Sequence, residues 1–111
     1  MNELGVLYEY IQKRYLQRVE SLKLSCALHI CVYEGFEIKI EYDKFFQIYI
    51  NNIFYYDVDS QDINDTIDEF FNGDLLFYEI EKGNKKLIGI SERKKFTPHR
   101  NISRIWSMRK D

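Results

Sequence analysis

Proline is nearly absent: Pro98 is the only one in 111 residues, so nothing before it is forced to break a helix or leave a sheet. There are two cysteines, Cys26 and Cys31, which excludes a disulfide framework. Together with His29 and His99 they show no metal-ligand spacing, which argues against a zinc site. No apolar run approaches the roughly 18 residues of a membrane span. The first residues, MNELGVLYEY, hold no basic stretch followed by an apolar one, so no secretory signal is read there. These absences together predict a cytoplasmic protein with no membrane partner. The most telling gap is one of charge: no Lys or Arg lies between Lys44 and Lys82.

What is present fits one domain with a real core. Hydrophobic residues make up 45% of the chain, too many for disorder. Aromatics reach 16%, with nine Tyr and eight Phe, and many fall in predicted strands. The richness in Ile, Lys, Asn, Tyr and Phe is the composition associated with AT-rich genomes. The net charge of −2 hides a division. Residues 1–92 carry nine Lys and Arg against seventeen Asp and Glu, whereas residues 93–111 carry seven against one. Such asymmetry bears on partners more than the total does.

Residues 3–20 read as a helix with Leu4, Leu7, Tyr8, Ile11 and Tyr15 on one face. From Leu22 to Val32 strict alternation predicts one strand, with Cys26 on its core side and His29 and Cys31 opposite. A second strand follows from Phe36 to Tyr42. A three-residue loop, Tyr33-Glu34-Gly35, keeps the two apolar sets together and asks for a left-handed residue at Gly35. Turns at Asp43-Lys44 and Asn51-Asn52 bound strands at Phe45–Ile50 and Ile53–Val58. Next comes an amphipathic helix with Ile63, Ile67, Phe70 and Phe71 as its apolar face. Asp59 or Ser60 caps it, and Gly73 ends it. Leu75–Glu81 and Lys85–Ser91 pair about a Gly83-Asn84 turn.

The prediction is an α+β fold: an antiparallel sheet of five to six strands with two helices on one face. Residues 1–92 form the domain. Residues 93–111 form a basic C-terminal tail with a short helix from Asn101, whose apolar side is Ile102, Ile105 and Trp106.

Three constellations carry chemistry. The stretch from Asp57 to Asp74 holds seven acids and no base. Asp62, Asp65, Asp68 and Glu69, with Tyr55 and Tyr56 as aromatic anchors, form a contact face for a basic protein such as a nuclease. Asp57, Asp59, Gln61 and Asp68 echo a calcium loop, but Asp62 stands where that loop needs Gly. In the tail, Arg93, Lys94, Lys95, Arg100 and Arg104 lie among aromatics and suit nucleic acid as an alternative. Cys31 and His29 share a strand face as a thiol and base would, yet no orienting acid is visible, so no enzyme is predicted. No cofactor or metal is implied, and Tyr-rich strands would also suit a homodimer.

Small size, an acidic surface over residues 1–92 and the lack of a catalytic motif resemble the small bacterial immunity proteins. That resemblance implies a protein that binds a toxin domain, often a nuclease, and occludes its active site. A phage-encoded nuclease inhibitor would share these features.

Overall fold

The computed structural model describes residues 2–98 and 100–109. The order is α1 (Glu3–Tyr15), β1 (Val19–Leu24), β2 (Leu28–Val32), β3 (Glu37–Asp43), β4 (Phe45–Ile50), β5 (Ile53–Val58), α2 (Ile63–Phe71), β6 (Leu75–Lys82), β7 (Lys85–Glu92) and β8 (Ile102–Ser107). Strands β1 to β5 form an antiparallel meander in sequence order. The last hairpin does not extend that sheet. It makes a second one, ordered β7-β6-β8.

The first helix is shorter than its periodicity suggests. Asn2 caps it by accepting a hydrogen bond from the Gly5 N–H at 2.7 Å, and it ends at Tyr15, followed by a short 3₁₀ turn. Leu4, Leu7 and Ile11 face the core.

The predicted strand over 22–32 is in fact two. The chain reverses at Ser25–Ala27, and Leu24 lies opposite Leu28. Cys26 is therefore exposed at a turn, not in the core, and Ala27 is buried beside it. The loop at Tyr33-Glu34-Gly35 forms as predicted: the Val32 N–H donates to the Phe36 carbonyl, and Gly35 takes φ +94°. A Cβ at Gly35 would meet nothing, so the left-handed backbone alone selects glycine there. Lys44, Asn51 and Asn52 take positive φ at the next two turns.

Alternation buries one face of the five-stranded sheet: Leu28, Ile30 and Val32, then Ile38 and Ile40, then Phe46, Ile48 and Ile50. Both helices lie on this face and share its core through Leu7, Ile11, Ile67, Phe70 and Phe71. A bulge between Ile48 and Tyr49 resolves the aromatic run of β5: Tyr56 lies beside Ile48 and Phe54 beside Tyr49.

The basic segment is corrected in one respect. Residues 102–107 form a strand at the edge of the second sheet, not a helix. The spacing of Ile102, Ile105 and Trp106 imitates a helical stripe because a bulge near Ser103 shifts the phase of β8. Ile102 and Ile105 thus share one face while Trp106 takes the other. Phe77 ties the second sheet into the core: it is fully buried, with its ring centroid 6.0 Å from that of Phe36, just before β3, and 5.1 Å from that of Phe70 on α2.

Candidate functional site

Helix α2 has no basic residue in its last turn, so nothing local offsets its C-terminal dipole. Instead Arg93 arrives from 20 residues away. Its Nε donates to the Gly73 carbonyl at 2.8 Å and its Nη2 to the Met108 carbonyl at 3.1 Å. The guanidinium thus clamps the end of α2 to the end of β8. Gly73 takes φ +78°, the left-handed exit that the sequence places there.

The acidic side chains of α2 divide by direction. Asp62 stands at the N-cap without a side-chain capping bond, and Asp62, Asp65 and Glu69 are exposed. Asp68 points toward α1. It accepts hydrogen bonds from the Tyr10 hydroxyl at 2.9 Å and from the Tyr15 hydroxyl. The Tyr15 ring also stacks on Phe71 at 4.3 Å. Asp68 is thus a latch between the two helices.

Burial first, and then the hydrogen bond and charge of Asp68, push the Tyr15 phenol up to about 12. Tyr10 is raised for the same reasons, burial leading. The folded protein therefore keeps a proton that the unfolded chain releases near pH 10. The associated stability is complete below about pH 10 and is lost as pH climbs through the folded value. Because the ring is partly solvated, the expected loss is on the order of 1 kcal/mol. Urea unfolding followed from pH 9 to 12 should show wild type losing more stability than Tyr15→Phe. Parallel curves would show that this phenol does not couple to folding.

Beside α2 lies a groove of about 370 Å³ between the end of the β4–β5 hairpin and the start of the helix. Phe45, Tyr56 and Val58 provide its apolar wall, and Asp57, Asp59 and Asp62 its carboxylates. Two predicted residues, Tyr56 and Asp62, meet here. Asp65 and Glu69 continue along the helix on the side that Asp62 begins. The Tyr55 side chain lies outside the described residues, as does His99. Sequence reasoning did not place Phe45 or Asp57 at this site; the signal was the hairpin register, which sets Asp57 opposite Gln47 and Val58 opposite Phe46.

The basic residues do not form one surface. Arg93 is the clamp already described. Lys95 pairs with Glu92 at 3.3 Å. Arg104 lies opposite Glu79, the buried charge among the described residues, which also meets Lys86 at 3.6 Å and Ser103 at 3.2 Å. Lys94 and Arg100 are exposed.

On the open face of the large sheet, Glu37 contacts both Cys31 and His29. Its Oε2 lies 3.7 Å from the thiol sulfur and 3.8 Å from His29 Nδ1. The carboxylate thus sits on the thiol itself, not solely behind the imidazole as in a nucleophile–base–acid chain. Among the described residues, no group of three or more His, Cys, Asp or Glu is arranged to hold a metal ion, and no helix is long and apolar enough to cross a membrane. The chain matches no family model, no curated protein and no solved structure.

Proposed function

We propose that this protein is a non-enzymatic binding module of the inhibitor or immunity type, which docks a basic protein through the groove and the exposed side of α2. One observation carries the reading: Asp59 and Asp62 line the groove, Asp65 and Glu69 follow as exposed residues of α2, Glu69 at a second cleft that Arg93 and Lys94 also line, and no Lys or Arg among the described residues forms an ion pair with any of the four. Uncompensated carboxylates speed encounter with a cationic partner and reject anionic ones. Phe45 and Tyr56 add apolar and aromatic surface beside them, which suits an Arg or Lys side chain lying over a ring. A nuclease is the natural partner class, because its active-site cleft must be cationic to hold a phosphate backbone. Asp68 is left out of the contact face, since its carboxylate holds two tyrosines.

The test is capture of the tagged protein from its native cells with and without nuclease treatment, repeated with the triple variant Asp62→Lys, Asp65→Lys, Glu69→Lys. A stoichiometric basic protein should survive nuclease treatment, and the triple variant should bind it at least about a hundredfold more weakly at low salt. Capture that disappears with nuclease treatment would transfer the function to nucleic acid. Unchanged affinity of the triple variant would remove this face.

A further inference from the structure

The three-stranded sheet has two unlike faces. Phe77, Ile88, Ile90 and Trp106 turn toward the core. On the other face Ile80 lies between Leu87 and Ile102, and Tyr78 between Gly89 and Ile105. Leu87 is 50% exposed and Ile105 49%. Next to this apolar row Lys82 stands directly opposite Lys85, and Arg100 precedes the strand that carries Ile102; all three are exposed. Like charges facing each other across a ladder destabilise it. No carboxylate among the described residues pairs with any of the three. The strand positions on this face include no Asp or Glu.

We infer that this face docks an acidic segment of another protein, which lays aliphatic side chains on Leu87, Ile80, Ile102 and Ile105 and carboxylates beside Lys82, Lys85 and Arg100. The charge pattern selects this occupant. A second copy laid face to face would bring no carboxylate, leaving the cations of both copies desolvated and unpaired. Single-stranded nucleic acid needs free aromatic faces. Here the Tyr78 ring lies on Gly89, where an added Cβ would come within 2.3 Å of it, and Phe96 packs against the same ring at 5.6 Å. For a membrane surface, Trp106, the natural interfacial anchor, is on the wrong face. This surface is separate from the acidic groove and does not depend on it.

The experiment uses the full chain, labelled with ¹⁵N, and a synthetic amphipathic helix of about four turns with leucines on one stripe and glutamates beside it. The same peptide with lysines for glutamates, an oligo-dT strand and phosphatidylglycerol–phosphatidylcholine vesicles are the comparisons. The acidic peptide should move the amide signals of Leu76–Lys82, Lys85–Glu92 and Ile102–Ser107, and the lysine peptide should not. The double variant Lys82→Glu, Lys85→Glu should weaken binding by about tenfold or more. Ile105→Asp, an exposed position, should abolish binding with an unchanged circular dichroism spectrum. Preference for oligo-dT or vesicles, self-association in place of peptide binding, shifts confined to other surfaces, or no shifts at millimolar peptide would each overturn the assignment.

Discussion

Phe77→Ala is expected to cost about 3–5 kcal/mol, the usual range for a fully buried phenylalanine. Against a typical total of roughly 5–15 kcal/mol this leaves a marginal protein. The size of the effect follows from position. Phe77 is fully buried and reaches Phe36, in the connection just before β3, and Phe70 of α2, so its loss leaves a cavity where the second sheet meets the entry to β3 and the helix. Collapse into that cavity would require two sheets and a helix to shift together, which close packing resists. Ile105→Ala, in the same small sheet but on its exposed face, should stay within about 0.5 kcal/mol. Urea unfolding of the two variants separates them. A cost below about 1 kcal/mol for Phe77→Ala would mean that the second sheet is only loosely joined to the first.

The second large effect is at Asp68. Asp68→Lys removes the acceptor of two phenols and places a cation against α1. Hydrogen bonds to a charged group are each worth roughly 1.5–3 kcal/mol, but this carboxylate is partly solvated, so the expected total is about 2 kcal/mol. Asp65→Lys and Glu69→Lys should behave differently. Both side chains are exposed, so each change should stay within a few tenths of a kcal/mol, but with opposite signs: Glu69→Lys places a cation near the end of α2, which suits the dipole, whereas Asp65→Lys replaces an acid in the first turn, which the dipole favours. Partner binding should nevertheless weaken for these two. At Glu69, stability and binding moving in opposite directions would identify an acid retained for recognition. Similar thermal shifts for all three variants would refute the division of α2 into a latched side and a free side.

Much of the fold was legible because local chemistry and burial pattern agree. Gly35, Asn51-Asn52 and Gly83 each supply the backbone freedom that their turns need, and the two-residue turn predicted at Gly83-Asn84 fixes the register found, Ile80 opposite Leu87 and Glu81 opposite Lys86. The turn at Ser25–Ala27 left no such mark. It contains no Gly, Pro, Asn or Asp, and because Leu24 and Leu28 are four residues apart the alternation continues through it in phase. Strand β8 has a helical look in the sequence because a bulge converts period two into an apparent helical spacing. At the site, the run of acids was visible, but its division was not. Asp68 borders the apolar stripe beside Phe71 and Asp65 lies across from it, but the phenols that hold Asp68 come from α1, 58 and 53 residues away. The clamp at Arg93 leaves no local mark either, because its cation comes from beyond β7, 20 residues from the carbonyl that it caps.

The latch between Asp68 and the two tyrosines joins residues 53 and 58 positions apart. The meander between them is built from hairpins with short loops, which close at small entropic cost. A contact that must wait for both ends of that meander is expected to form late, after the transition state. Interactions of this kind leave the rate of folding almost unchanged and raise the barrier to unfolding. The acid that holds the helices together therefore sets how long the native state lasts once formed, and in a chevron plot Asp68→Lys should lift the unfolding arm while the refolding arm stays in place.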